Sequence, residues 1–375
     1  MKIGVVINSA WNIYNFRRGL VCALLENEHQ VVAIAPEDGY GKRLREMGCD
    51  FVPLRMGNKS TNPFSDLQLI YRLYRIYQEQ DLDVVLHYTI KPNIYGTLAA
   101  KILGIPTINN VTGLGTVFIR KGLSSKIAHL LYRISFRFPD VVFFQNGDDK
   151  QLFLEKKLVK AEKTEILPGS GIDTQYFRPT WVQNPLPTQK REPFKFLMVA
   201  RLLYDKGILE YIEAIRLLRD KGIHAKFQLL GKIETSKGLG ISEKELDKWQ
   251  KEGLIEYLGA VEDVRPIMAQ ADCVVLPSYR EGTPRTLLEA ASLGKPLIAT
   301  DVPGCRETID DGLNGFLCEV KNAYDLADKM QKLLSLPAEA REQMGKQSRK
   351  LVEMRFDQKI VIEKYQQALQ IITLQ

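Results

Sequence analysis

Two glutamates eight positions apart, Glu281 and Glu289, bracket the run EGTPRTLLE, and upstream Arg201 and Lys206 lie five apart in VARLLYDKG. Carboxylates grip hydroxyls, an arginine offers a two-pronged fork to a phosphate and a lysine offers a point charge. Together the four side chains suit a ligand that carries hydroxyls on both sides of a diphosphate. A nucleotide-sugar has that form, and its departing group is a nucleoside diphosphate whose growing negative charge such cations would stabilise.

The elements that must position these residues are legible on either side of them. ADCVVLP, residues 271–277, is a short apolar run of the kind buried in a parallel sheet, and TLLEAASLG has the spacing of a helix. The stretch between is therefore a strand-to-helix loop. Gly282 permits a close turn, and Pro284 suits the first helical position, where its missing N–H would have no partner. A helix starting here aims N–H groups and a positive dipole end at the strand tip, which suits a phosphate. Glu281 sits on the loop and Glu289 about one and a half turns into the helix.

The wider pattern is strand and helix in alternation. In the first half KIGVVIN, HQVVAIAP, CDFVPLR, LDVVLHY, IPTINNV and DVVFFQN read as strands, and FRRGLVCALLENE, 67–80 and 94–103 as helices. TWVQNPLPTQKREP breaks the rhythm with three prolines and reads as a linker. A second series follows: FKFLMVA, a helix over 208–220, AKFQLLG, a helix around 243–251, IEYLG, CVVLP, KPLIAT and GFLCE, with a helical tail from about Pro337. The fold class is α/β, with two doubly wound domains facing a cleft. The expected division is 1–180, a linker at 181–193, and 194–356, with 357–375 packed on the first domain. Ligands of such folds sit at the carboxyl ends of the strands.

At 375 residues, 45% hydrophobic and 26% charged, the chain is globular and long enough for two domains. No apolar run approaches the roughly 18 residues of a membrane span, and the start lacks the shape of a secretory signal. The cytosol is the expected compartment, so the five cysteines read as reduced packing residues and Asn58-Lys59-Ser60 carries no weight as a glycosylation site. The net charge of +7 is uneven: between Asp83 and Asp140 there is no acidic residue, while Lys91, Lys101, Arg120, Lys121, Lys126, Arg133 and Arg137 supply seven cations. Over 117–138 the cations alternate with apolar residues at roughly helical spacing. Either this is an ordinary amphipathic helix, or Arg120, Lys121, Lys126, Arg133 and Arg137 rest on anionic lipid headgroups. Nucleic acid is a weaker partner, because no recognition motif accompanies the charge.

VARLLYDKG, the strand-end LLG of 229–231, EGTPRTLLE and GCRETIDDGLNGFL together resemble the retaining glycosyltransferases of family 4, in that order and over nearly the whole chain. TIKPNIYGTLAAKILGIPTINNVTGLG is similar to a narrower subset, bacterial enzymes that extend polyprenyl-diphosphate-linked saccharides. The resemblance implies the GT-B fold of two facing Rossmann-like domains. It implies Arg201 and Lys206 on the donor diphosphate, Glu289 on the ribose, Glu281 on the donor sugar, and backbone N–H groups near Gly282 and Thr283 completing a phosphate cradle with Pro284. Arg201, Lys206 and Glu281 are then the catalytic set. The implied reaction moves an N-acetylhexosamine or hexose from a UDP-sugar to an undecaprenyl-diphosphate saccharide with retention, without a cofactor or metal, at the inner face of the cell membrane. The acceptor half would use Lys91, Arg17, Thr112, Gly113 and His87.

One departure from the family concerns a first-domain histidine: here Thr112 stands before Gly113-Leu114-Gly115, leaving His87, at a strand end, as the candidate and His129 as a surface residue. Asp81-Leu82-Asp83 has the letters of a metal-binding D-x-D, but it leads straight into a strand and reads as a turn, and no zinc-ligand spacing is present. Gly169-Ser170-Gly171 lacks the rest of a dinucleotide fingerprint and reads as a turn. Rival readings are a transferase for a lipopolysaccharide-core or soluble acceptor, a UDP-N-acetylglucosamine 2-epimerase, a nicotinamide-dependent oxidoreductase and a non-catalytic scaffold. An oxidoreductase should show the full glycine fingerprint after the first strand, which Asn8-Ser9-Ala10-Trp11 does not supply.

Overall fold

The structure, a computed structural model, describes residues 1–57, 63–114, 123–179, 193–234 and 239–374. It divides into two compact units, 1–171 with 358–375, and 172–357. The first boundary therefore falls at Gly171/Ile172 rather than at 180. The reason is packing: Ile172 pairs with Asp357, Phe177 belongs to a core of the second unit, and Ser292 Oγ donates to the Phe177 carbonyl at 2.6 Å. Gly169-Ser170-Gly171 is the turn just before that boundary, with both glycines at positive φ. The proline-rich run expected as a linker lies, but for Pro193, outside the described residues, as does Asn58-Lys59-Ser60.

In the first unit seven strands pair in parallel: β1 Lys2–Val6, β2 Gln30–Ala35, β3 Asp50–Pro53, β4 Val84–Tyr88, β5 Thr107–Val111, β6 Val141–Phe144 and β7 Thr164–Ile166. Their order is β3-β2-β1-β4-β5-β6-β7. The helices are α1 Ala10–Phe16, α2 Arg18–Glu26, α3 Gly41–Glu46, α4 Pro63–Gln80, α5 Thr97–Leu103, α6 Leu123–Ser135 and α7 Gly147–Glu155. A π-helical turn, Pro92–Gly96, precedes α5, so the helix expected over 94–103 is two pieces of different pitch. Alternate residues feed two cores, one holding Ile3, Val5 and Leu86 and the other Val6, Val85 and Phe144. Burial on both faces is why these strands read as continuous apolar runs.

The second unit holds β8 Lys195–Val199, β9 Lys226–Leu230, β10 Glu256–Tyr257, β11 Cys273–Leu276, β12 Leu297–Thr300 and β13 Gly315–Cys318, parallel in the order β10-β9-β8-β11-β12-β13. Its helices are α8 Ile208–Asp220, α9 Glu243–Lys251, α10 Arg265–Gln270, α11 Arg285–Ser292, α12 Ala323–Ser335 and α13 Ala338–Arg355. Ser242 and Glu245 form a reciprocal capping box that fixes the start of α9. The last helix, α14 Gln358–Thr373, packs with α2 and places Val361, Tyr365 and Leu369 in a first-unit core. Six elements, α1, α3, β7, α7, α10 and α12, have no counterpart in the sequence reading. All five cysteines are free thiols, four of them buried. Among the described residues no helix is long and apolar enough to cross a membrane.

Candidate active site

The second sheet reverses its strand order between β8 and β11, which pair side by side. Ligands of open parallel sheets bind at such a switch point, outside the carboxyl ends of the strands. Arg201 and Lys206 follow β8, and Glu281 follows β11. The topology thus brings together two segments that the sequence separates by 75 residues.

The closest approach is an ion pair. Lys206 Nζ donates to Glu281 Oε1 at 2.6 Å, with both side chains 16% exposed. One carboxylate oxygen of Glu281 and further ammonium protons of Lys206 lie outside this bond. The loops bearing them are locked to each other. Tyr279 N donates to the Asp205 carbonyl at 2.9 Å, Ser278 Oγ donates to the same carbonyl at 3.2 Å, and Thr300 Oγ1 donates to the Ser278 carbonyl. Gly207 ends the Tyr204–Lys206 turn at φ +75°, and a Cβ there would overlap the Pro277 carbonyl. Gly304, at φ +86°, meets the carbonyls of Glu281 and Gly282 in the same way. Only glycine allows both the left-handed backbone and the approach.

Arg201 is the most open of the set, 65% exposed, with Nη1 3.9 Å from Glu234 Oε2. Pro284 is the N-cap of α11, one residue earlier than expected, and no side chain caps that helix. Gly282 is buried and Thr283 half-buried on the loop before it. Glu289 is held within its own helix: Arg285 Nε donates to Glu289 Oε1 at 3.1 Å, and the side chains are 16% and 12% exposed. Burial raises the Glu289 pKa, and the adjacent guanidinium opposes that shift. Three further residues join the site without having been singled out from the sequence: Glu234, Arg285 and Tyr279.

Tyr279 OH donates to Glu210 Oε1 at 2.7 Å, tying the Glu281 loop to the first turn of α8. Tyr279→Phe is expected to lower the stability of the second unit by about 1 kcal/mol, the usual net value of one such bond. Urea unfolding of the two proteins side by side checks this.

In the first unit the expected acceptor residues separate into different environments. Arg17 is 6% exposed at the junction of α1 and α2, and its guanidinium lies 4.2 Å from the ring centroid of Tyr88, the last residue of β4. Arg17 Nη1 also donates to Asn12 Oδ1. A small cavity beside it is lined by Arg17, Tyr88, Asn110, Ser170 and Tyr365, with no acidic side chain in its wall. Lys91 pairs with Asp66 at 3.1 Å, and Asp66 also accepts from Tyr95 OH at 2.7 Å. Thr112 and Gly113, half-buried, follow β5.

His87 does not belong with them. Its side chain is fully buried, Nε2 lies 2.9 Å from Tyr77 OH, and Nδ1 lies 2.9 Å from Asn109 Oδ1. β4 lies inside the sheet with both faces covered, and His87 points to the α4 side with Val85. Burial, only partly opposed by the Asn109 bond, lowers its pKa to about 4, so the imidazole is neutral and structural. The acceptor role expected of it is withdrawn. His129 is half-buried in α6 rather than on the surface. Asp83 accepts the Lys2 N–H at 2.6 Å, consistent with a strand-start turn.

The basic segment forms α6 from Leu123 onward. Lys126 and Arg133 are exposed on it and Arg137 just past its end, whereas Arg120 and Lys121 lie outside the described residues.

Comparison with known proteins gives this geometry a family. Residues 184–351 match the family described as glycosyl transferases group 1, and residues 2–146 match glycosyl transferase 4-like. A curated relative from Campylobacter jejuni, N,N'-diacetylbacillosaminyl-diphospho-undecaprenol alpha-1,3-N-acetylgalactosaminyltransferase, is 30% identical over 97% of each chain. The Escherichia coli UDP-Gal:alpha-D-GlcNAc-diphosphoundecaprenol alpha-1,3-galactosyltransferase is 26% identical over 72% of this chain and 71% of its own. Among solved structures, Anabaena HepE in complex with UDP superposes with a TM-score of 0.78 at 18% identity, covering 99% of this chain and 100% of that one. A Rickettsia africae glycosyltransferase gives 0.78 at 20% identity, over 99% and 98%. With both halves matched and a relative at 30% identity along nearly its entire length, this chain is a glycosyltransferase of the group 1, family 4-like family with the GT-B fold.

Proposed function

We propose that this enzyme transfers an N-acetylhexosamine or hexose from a UDP-sugar to an undecaprenyl-diphosphate-linked saccharide, with retention at the anomeric carbon. The observation that carries the reading is the Lys206–Glu281 pair at the β8/β11 switch point, with Arg201 exposed on the same segment after β8. Its remaining Lys206 protons and the Arg201 fork are the charges a diphosphate leaving group needs, and the second oxygen of Glu281 is an acceptor for donor-sugar hydroxyls. Glu289 takes the ribose hydroxyls, with Arg285 neutralising it in their absence. The N-terminus of α11, with Gly282, Thr283 and Pro284, approaches the phosphates from the other strand tip. The names of the C. jejuni and E. coli relatives support a lipid-diphosphate acceptor and, for the latter, a UDP-sugar donor.

Retention follows if the acceptor hydroxyl attacks from the face that the diphosphate leaves and a phosphate oxygen takes its proton. Two protein cations supply the charge stabilisation, so the proposal includes no metal. Lys91, Arg17, Thr112 and Gly113 are the acceptor residues. Lys126, Arg133 and Arg137, with Arg120 and Lys121, hold the enzyme on the anionic inner face of the cell membrane, where such an acceptor resides.

A screen of UDP-sugars against polyprenyl-diphosphate saccharides, reading released UDP, is the direct test. Turnover with a UDP-N-acetylhexosamine or UDP-hexose, dependent on the lipid-linked acceptor and indifferent to chelator, is the expected outcome. Turnover only with soluble or lipopolysaccharide-core acceptors, or loss of activity with chelator, would overturn the corresponding part.

A further inference from the structure

Seven of the nineteen exposed large apolar side chains among the described residues lie on just three helices of the first unit: Phe64, Leu67 and Tyr71 on α4, Ile102 on α5, and Ile127, Leu130 and Ile134 on α6. The α4 and α6 sets share one spacing, i, i+3 and i+7, which draws each into a stripe along its helix. Exposure is high, 78% at Phe64, 64% at Leu67, 60% at Tyr71 and 58% at Leu130. α4, α5 and α6 all pack on the Pro92–Gly96 turn, so the three belong to one side of the first sheet. The opposite stripes of α4 and α6 supply Leu69, Leu73, Tyr77 and Tyr132 to the core. The exposed stripes are thus a second apolar face on helices whose core-facing side is already filled.

We propose that α4 and α6 form one docking face for an anionic lipid bilayer, with Phe64, Leu67 and Tyr71 as an apolar anchor that complements the basic helix. This rests on the lipid-linked acceptor proposed above. Charge complementarity selects the occupant. The chain from 84 to 139 has no acidic residue, and Lys126, Arg133 and Arg137 flank the α6 stripe on its exposed side. On α4 the exposed Arg72 follows Tyr71, while Asp66 is turned inward to Lys91 and Tyr95. Apolar side chains ringed by cations fit the boundary between phosphate headgroups and acyl chains. Tyrosine suits that boundary for the same reason it suits other interfaces, since its ring can be dry while its hydroxyl is wet. The same Asp66 joins the α4 stripe to Lys91, so the face that meets lipid is connected by one ion pair to a proposed acceptor residue.

The test uses the full chain, vesicles of phosphatidylglycerol with phosphatidylcholine, vesicles of phosphatidylcholine alone, and a water-soluble short-chain acceptor analogue. Two variants are compared with the parent: Phe64→Ser/Leu67→Ser/Tyr71→Ser, and Lys126→Gln/Arg133→Gln/Arg137→Gln. All six positions are exposed, so both should melt like the parent, and a thermal scan verifies it. Each is expected to partition about 100-fold more weakly onto the anionic vesicles. High salt should weaken parent binding, and the neutral vesicles should bind it poorly. Turnover of the soluble acceptor should stay at the parent level in both variants, while turnover of a vesicle-embedded acceptor falls. Unchanged vesicle binding in the α4 variant overturns the anchor, whatever the charge variant does. Parent binding that is equal on the two vesicle types overturns the choice of an anionic surface, as does a stripe found to be covered by self-association of the enzyme. Absence of parent activity on every lipid-linked acceptor, with vesicle binding as expected, would count against the proposed reaction and not against this face.

Discussion

Lys206→Met is expected to lower kcat/KM by about 10²- to 10³-fold, the size of effect seen when one preorganised donor to a developing anion is removed. The effect should fall mainly on kcat, because the charge on the leaving diphosphate grows as the glycosidic bond breaks. Stability provides the control. Lys206 and Glu281 are an ion pair with little solvent access, 2.6 Å apart. Removing the cation alone leaves a carboxylate in a poorly solvated place, which destabilises the second unit. Removing both charges, as in Lys206→Met/Glu281→Gln, takes away that penalty, since neutral pairs of similar shape are often tolerated where a broken pair is not. The double variant should therefore melt closer to the parent than Lys206→Met does, yet remain as inactive. Glu281→Gln alone keeps one acceptor oxygen, loses the charge and leaves Lys206 uncompensated; about 10- to 100-fold lower kcat/KM is expected, from weaker bonds to sugar hydroxyls. If Lys206→Met lost activity only in proportion to its loss of folded protein, the pair would be a structural clasp and the leaving-group role would be wrong. Initial rates at saturating donor, paired with thermal scans of all three variants, decide between the two.

The sequence made the donor half legible because its parts are local. A buried strand, a glycine turn and an amphipathic helix lie in consecutive residues, and the two cations follow another such strand. What joins them, the β8/β11 pairing, follows from the strand order of a doubly wound sheet. The in-helix bond between Arg285 and Glu289 was also in view, as oppositely charged residues four apart in RTLLE. Reading Glu289 only as a ligand group passed over it. Tyr279, on a loop, carries no local signal, because its partner Glu210 is 69 residues away at the start of α8. Short strands were missed for a similar reason: β7 is three residues with two of them exposed, too brief to show a pattern. The domain boundary went to the proline-rich run, since composition marks where a chain lacks periodicity. Residues 172–179 are equally irregular, yet they are bound to the second unit by side chains such as Phe177 that only the fold brings into contact.

His87 is the clearest case of a residue whose meaning depends on distant partners, and it leads to a pH-dependence with a definite sign. Tyr77 on α4 and Asn109 on β5 close its two ring nitrogens, and Asn109 Nδ2 continues to the Asn93 carbonyl at 3.1 Å and Thr97 Oγ1 at 2.8 Å. The network therefore supports the Pro92–Gly96 turn directly after Lys91. In the folded protein the imidazole pKa is lowered to about 4, against an ordinary value near 6.5 in the unfolded chain. Between these values the unfolded state binds a proton that the native state refuses. The stability contributed by neutral His87 is thus complete above about pH 6.5, falls as the pH drops through that window, and levels off below about pH 4. Between pH 7 and pH 5 the first unit should lose about 2 kcal/mol from this group, on the arithmetic of about 1.4 kcal/mol per pKa unit. His87→Gln keeps a polar side chain of similar reach toward Tyr77 and Asn109 but cannot take up the proton. The variant should be less stable at pH 7, where a packed ring has been replaced, and should close the gap to the parent as the pH falls toward 5. Urea unfolding of the first unit at both pH values measures the difference between the two slopes, which cancels His29 and the carboxylates common to both proteins. A gap that stays constant would mean that His87 is solvated enough to titrate normally. Its burial beneath the turn would then be incomplete, and the turn that follows Lys91 would itself be open to solvent.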